Sequence, residues 1–322
     1  MTYTSGGLIQ ATDYNGFVST TSGANVNNVW STGSGDAGWG QPALSTVAAT
    51  NTITATQWAS LVNTLVNMGA QTGTTITART APTAGQTINI LAALNTDLTN
   101  ITANRQNAVA NGTQFTGWTG TNSKTAATSG SPWSITFTNT VTWASADAAR
   151  YFFNAGGRIK IDVSKNATGA TGDPEWNDLA NTLCGDIFIT GGSATQTIAG
   201  TAYTGTTKIG GSGTPNTLAT TTGWNNLTAG AAATLVYKQF ADTAPYTSNF
   251  IQHSIAKGAS SNTLVITTLW SAVDGDPISG GTASSGATPG TAPTTIVTYF
   301  PPSSTYLSTT SWGTPTVAAT TA

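Results

Sequence analysis

Two stretches near the start of the chain repeat one arrangement of apolar and polar positions. Ile9-Gln10-Ala11-Thr12-Asp13-Tyr14-Asn15-Gly16-Phe17-Val18 returns 44 residues later as Ile53-Thr54-Ala55-Thr56-Gln57-Trp58-Ala59-Ser60-Leu61-Val62. We read this as an internal repeat of a helix entered through a Thr cap. In the second copy Trp58, Leu61, Val62, Leu65 and Val66 keep to one helical face, which predicts a helix over 55–68. In the first copy Gly16 and Gly23 weaken the continuation. Each copy runs into a glycine-rich connection, Gly33 to Gly40 and Gly69 to Gly73, which predicts loops.

A third helix is predicted over Thr87 to Asn111. Leu91, Leu94, Leu98, Ile101 and Ala108 recur with spacings of 3, 4, 3 and 7, and Arg105 lies on the same seam. Two uses of this stripe stay open. It packs on the helix at 55–68 inside one subunit, or Leu91, Leu94, Leu98, Ile101 and Arg105 form a parallel dimeric or trimeric seam with Arg105 setting the register.

Residues 112–132 are rich in Gly, Thr and Ser and predict a linker closed by Pro132. From Trp133 the period falls to two. Trp133 to Thr138 and Arg158 to Val163 alternate bulky and small polar residues, and Gly185 to Thr190, Thr195 to Ala199, Ala233 to Phe240 and Asn262 to Thr268 are further strands. Asn249 to Ile255 alternates too, with Ile251, His253 and Ile255 on one face. Short strands between Gly- and Asn-rich turns predict a sandwich, interrupted by one helix near Pro174 to Leu183. Ala155-Gly156-Gly157 predicts a tight turn between two strands. The expected fold is thus α+β: a helical docking or oligomerisation region over 1–120, an antiparallel β-sandwich over 133–273, and an extended Gly-, Thr- and Pro-rich segment over 274–322.

Composition sharpens this picture. Only 7% of the residues are charged, against about 25% in an average soluble chain. Polarity comes from Thr (67 of 322 residues), Ser, Asn and Gly, which suit pleated surfaces and turns. With 38% hydrophobic residues and 10 Trp the chain has the means to fold. A net charge of -2 offers no basic footprint for nucleic acid. No apolar run reaches the roughly 20 residues of a membrane span, and residues 1–20 lack the features of a signal peptide. Cys184 stands alone, so no disulfide framework exists within the chain.

Chemistry-bearing residues are sparse. His253 is the only histidine and Glu175 the only glutamate, so the sequence predicts no catalytic residue, no cofactor and no metal site, and no enzyme. Asp173, Glu175 and Asp178 cluster where a helix N-terminus favours negative charge. Asp274-Gly275-Asp276 is a fragment of a calcium loop without its remaining ligands. Trp30, Trp39, Trp118, Trp224 and Trp312 sit among small polar residues, where loops either tuck them inward as anchors or present them to a glycan.

Three phrases resemble virion structural proteins of tailed phages of marine bacteria, the T4-like cyanophage type: Ala11 to Asn15 with Gly33 to Gln41 and Ile53 to Trp58; Ala149-Arg150-Tyr151-Phe152-Phe153-Asn154-Ala155-Gly156-Gly157-Arg158-Ile159; and Pro301 to Leu307 with Trp312 to Pro315. The resemblance implies a virion location and brings no catalytic residues. The expectation is a structural component of the particle, made in the host cytoplasm and released by lysis. A fibre-like tail or neck appendage comes first, a capsid decoration protein second, and a carbohydrate-binding module third. Its expected partners are other virion proteins, further copies of itself as a homo-oligomer (trimer or dimer), and a host-surface glycan.

Overall fold

The computed structural model describes residues 10–19, 23–84, 93–121, 132–166, 173–273 and 293–322. The repeat forms α1 (Ala11–Val18) and α3 (Ala55–Thr72), with the single turn α2 (Val26–Val29) between them. A reciprocal cap opens α3: Thr54 Oγ1 accepts from the Gln57 N–H at 3.3 Å, and Gln57 Oε1 accepts from the Thr54 N–H at 2.8 Å. Two backbone donors that a helix start leaves free are thereby paired. In the first copy the cap position belongs to Gln10, whose N–H donates to Asp13 at 2.9 Å, so a Thr cap is found in the second copy only. The aromatic positions of the two copies meet, Tyr14 edge-on to Trp58 with ring centroids 5.3 Å apart.

An extended segment crosses α1 and α2 and is fastened by side-chain amides. Asn15 donates to Val47 O and accepts from Val47 N–H, and Asn27 does the same with Leu44, every bond 2.8 Å. An amide offers one donor and one acceptor side by side, as a β-partner's backbone does. In a chain this poor in charge, amides provide cross-links that ion pairs provide elsewhere.

The helix α4 (Leu94–Ala103) is shorter than its apolar stripe suggested. Beyond Asn104 tertiary hydrogen bonds redirect the chain: Ala108 N–H donates to Thr197 O at 3.0 Å and Ala108 O accepts from Ala199 N–H at 2.8 Å. A buried ion pair, Arg79 with Asp97 at 2.5 Å, ties the strand-like segment after α3 to α4.

The remaining elements are β1 (Phe115–Thr121), β2 (Trp133–Thr142), α5 (Ala146–Asn154), β3 (Arg158–Ser164), α6 (Asp173–Asp178), β4 (Asp186–Ile189), β5 (Gln196–Ile198), β6 (Thr201–Tyr203), β7 (Thr206–Ile209), β8 (Thr217–Leu218), β9 (Thr234–Phe240), β10 (Phe250–Lys257), β11 (Thr263–Ala272), β12 (Thr294–Phe300) and β13 (Thr316–Thr321). They build a five-stranded sheet in the order β1-β12-β3-β4-β7, a six-stranded sheet in the order β13-β2-β11-β10-β9-β8, and the hairpin β5-β6. The ladders within these sheets are antiparallel. The fold is therefore α+β with antiparallel sheets. In β11, Leu264, Ile266, Thr268, Trp270 and Ala272 are buried in strict alternation, and in β3 Ile159, Ile161 and Val163 are, as period two requires when one face meets a core.

Three readings of the sequence are corrected. The linker expected over 112–132 contains β1. Two glycines lower its strand propensity, but the ring of Tyr299 lies over Gly117 and that of Trp118 over Gly120, filling the space a side chain would occupy. The turn at 155–157 joins a helix to a strand: Ser145 caps α5 by accepting from Ala148 N–H at 3.0 Å, and Gly156 turns the chain at φ +97°. The described part of the expected extended tail, 293–322, supplies β12 and β13. The helix expected near Pro174 to Leu183 forms as α6, continued as a π-helical turn over Leu179–Cys184. Its Trp176 packs against Trp133 and Trp270 at 4.9 and 5.9 Å. A single hydrophobic cluster takes residues from all three sequence regions, from Ala11 through Trp143 to Trp312. Among the described residues no helix is long and apolar enough to cross a membrane.

Candidate functional site

Of the predicted oligomerisation residues, Leu94, Leu98 and Ile101 are buried in the chain's own core, and α4 is in contact with α3. Burial of these three residues within one chain is what the packing alternative requires. A seam between subunits through these positions requires α4 to leave the core. Leu91 lies outside the described residues, as does Asp274-Gly275-Asp276. Arg105 is off the helix altogether, in the turn after α4, where its Nη1 donates to Thr102 O at 3.2 Å.

That turn forms one wall of a polar cleft of about 210 Å³. Asp36 comes from the first glycine-rich loop, Arg105, Gln106 and Asn107 from the turn, Gly192 to Thr195 from the β4–β5 connection, Gln196 from the start of β5, and Asn225 and Asn226 from a short 3-10 turn. Beneath it lies Asn154, at the end of α5 and without solvent exposure. Its Oδ1 accepts from Gln106 Nε2 at 3.3 Å and Asn225 Nδ2 at 3.2 Å, and its Nδ2 donates to Gly38 O at 3.3 Å. Trp39 Nε1 donates to both Arg105 O and Asn154 O, at 3.0 and 3.1 Å. One buried amide and one buried indole thus set the relative positions of three of the four segments. Gly192 admits Gln106 to the wall, because a Cβ there would stand 2.6 Å from Gln106 Oε1.

Two larger hollows, of about 510 and 460 Å³, offer less chemistry. The first, beside α1, has no charged lining residue, and its Asn15 and Asn27 are the amides already bonded to backbone. The second, beside α3, has Arg79 as its only charged lining residue.

Several titratable groups elsewhere among the described residues are engaged in structure. His253 is 1% exposed. Its Nδ1 is 3.0 Å from Thr268 Oγ1, its ring stacks on Tyr237 at 5.3 Å, and burial pushes its pKa down to about 3. The ring is neutral at pH 7. Burial raises the Cys184 thiol to about 12, which leaves it protonated and a weak nucleophile. Lys160 stands between Asp186 (3.3 Å) and Asp162 (3.5 Å) on the five-stranded sheet. Burial, then the neighbouring Asp186, raises the Asp162 pKa, and Lys160 opposes them. Among the described residues no group of three or more His, Cys, Asp or Glu is placed to hold a metal.

Trp30, Trp39, Trp224 and Trp312 are all buried, and the partly buried Trp118 packs edge-on to Phe137. These loop tryptophans are anchors, and none of the four buried ones forms an exposed stacking platform. In the sequence Gln106 and Asn107 fall in the predicted third helix and Gln196 in the predicted strand Thr195 to Ala199, so nothing marked them as lining one cleft. The Gly191-Gly192 pair and Asn225-Asn226 mark turns in the sequence, but nothing there says that the turns converge. No family model, curated protein or solved structure matches the chain.

Proposed function

We propose that the chain is a structural component of a tailed-phage virion, in a tail or neck appendage, built as a helical N-terminal region followed by an antiparallel β-sandwich. The observation that carries this reading is where the phage-like phrases meet. Gly33 to Gln41 hydrogen-bonds both to Ala149 to Ile159 and to Thr309 and Ser311, which join the two halves of the tail phrase, although the three are far apart in the chain. Gln41 Nε2 donates to Thr309 O at 3.0 Å and Gln41 Oε1 accepts from Thr309 N–H at 2.9 Å. Ser311 Oγ donates to Trp39 O at 2.6 Å. Arg150 Nη1 donates to Ala37 O, and Asn154 holds Gly38 and Trp39 as above. Residues that carry the resemblance thus lie together in one part of the fold.

A structural role also suits the use of the rare side chains. The histidine, the cysteine and the loop tryptophans are committed to packing, and the amides fasten segments that would otherwise be loose ends. In the sandwich reading the two sheets enclose the shared core, and the described C-terminal strands close both, β12 inside one sheet and β13 at the edge of the other. Its partners are other virion proteins and further copies of itself. Mass spectrometry of gradient-purified particles of the encoding phage tests the proposal. The chain should be present in a fixed copy number per particle, and its absence from intact particles overturns the reading.

A further inference from the structure

We propose that two copies of the chain pair through β13, edge to edge and antiparallel, about a two-fold axis at Ala319. The inference goes beyond the virion reading and does not rest on it, since the sheet edge alone carries it. β13 ends the six-stranded sheet and pairs with β2 on one side. Just past it Ala322 N–H donates to Thr136 O at 2.8 Å, and Ala322 O accepts from Thr136 N–H at 2.6 Å. The register from there back to Thr316 is unbroken, and bonded and non-bonded pairs alternate along an antiparallel ladder. Thr320, Ala318 and Thr316 therefore bond to β2, while the N–H and C=O groups of Val317, Ala319 and Thr321 point away from it. None of these outward groups has a backbone partner among the described residues. The strand β1 comes near β13 but forms no ladder with it, and Thr316, Ala318, Thr320 and Thr321 are exposed.

Open edges invite pairing and are normally blunted by shortness, charge or a bulge. The other three edges of the two large sheets are blunted in this way. β8 has two residues, β7 has four and carries Lys208, and β1 is broken by a register shift between Thr116 and Trp118. β13 has six residues in regular register, with no charge, no proline and no bulge. The occupant that fits this edge is a second copy. The outward groups are symmetric about Ala319, so a two-fold axis there sets Ala319 against its own equivalent and Val317 against Thr321 of the partner subunit. Each such pair exchanges both backbone bonds, which matches every outward group. Self-pairing also brings like residues together, where like charges repel. β13 has none, and neither have β2 and β11 behind it. A foreign strand is selected through pockets for alternate side chains, and Thr316, Ala318 and Thr320 are too small to frame a pocket. The contact is isologous and closes at two copies. One six-residue strand makes a small interface, in the range below about 1,200 Å² typical of transient complexes, so the dimer builds up with concentration.

Sedimentation equilibrium of the intact chain, from about 1 μM to about 1 mM, spans the affinities of weak complexes and tests the proposal. The mass should rise reversibly from monomer to dimer, and amide exchange at Val317, Ala319 and Thr321 should slow at the concentrated end. Ala319→Pro deletes the donor at the axis and removes no bond to β2, as proline at a sheet edge allows. Residue 318 faces residue 320 across the axis, so Ala318→Lys with Thr320→Lys, both at exposed positions, sets like charges opposite each other. Each change should weaken association by at least about tenfold. Ala318→Lys with Thr320→Asp sets opposite charges at the same places and should restore association. If Ala319→Pro does not fold, the two charge variants decide. A monomer at every concentration, a trimer, undiminished association in the double-lysine variant, or equal weakening by both charge arrangements overturns the proposal.

Discussion

Lowering the pH from 7 to 5 should destabilise this protein through one residue, His253. Its imidazole is sealed between Tyr237 and Thr268, and burial holds its pKa near 3 against 6.5 in the unfolded chain. Between these values the unfolded state binds a proton that the folded state refuses, so stability rises with pH across the window and is lost as pH falls below about 6.5. At pH 5 the unfolded histidine is about 1.5 pH units below its own pKa, which corresponds to about 2 kcal/mol lost relative to pH 7 or above. Neither Tyr237 nor Thr268 titrates in this range. Asp162 works the other way, because its raised pKa makes protonation favour the folded state as the medium turns acid. A difference measurement separates the two. Urea unfolding of the wild type and of His253→Leu at pH 7 and pH 5 should show the wild type losing about 2 kcal/mol more than the variant. Since His253 is the only histidine, its ring resonances are unambiguous and should stay fixed from pH 7 to 5. Equal losses in the two proteins, or a histidine that titrates near 6.5 in the folded state, would refute the sealed-ring account.

Three further outcomes follow from the packing. Leu98→Ala should cost about 2–5 kcal/mol in urea unfolding with no change of mass in sedimentation; a loss of subunits with unchanged stability would move the stripe into an interface. Gln41→Ala removes the four bonds its amide makes to Trp39 and Thr309, at a cost of about 2–3 kcal/mol, and should open the segment around Thr309 to proteolysis; an unchanged digestion pattern would show that the phrase network does not hold the tail. Asn139 is fully buried on β2 with both amide atoms unpaired among the described residues, so Asn139→Leu should raise stability by about 1–3 kcal/mol, and a fall would mean that the amide is satisfied in solution.

What the sequence disclosed depended on whether a signal was local. The alternation in β2, β3, β10 and β11 and the apolar face of α3 were visible because one buried face imposes a fixed period. The strand β1 was hidden by Gly117 and Gly120, whose missing side chains are replaced by rings from Tyr299 and from Trp118 within the strand. The strand β12 has a good β-branched run, Thr294 to Val297, but it follows a long Gly-rich stretch that masked it, and β13 holds mostly small residues whose pairing with β2 is a tertiary fact. The stripe in α4 was legible as apolar and its spacing was right, but spacing alone does not say which surface covers it. The cleft was the least legible part. Its amides lie on three segments with no common period, two of them brought together by Asn154 and Trp39, which the sequence shows only as an ordinary Asn and a tryptophan in a loop.

Placement in the particle decides the central claim. Immunogold labelling of intact phage particles with an antibody to this chain should put the label at the tail or neck. Label spread over the head would replace the appendage with a decoration protein, and particles that never bind the antibody, native or partially disrupted, would contradict a virion role.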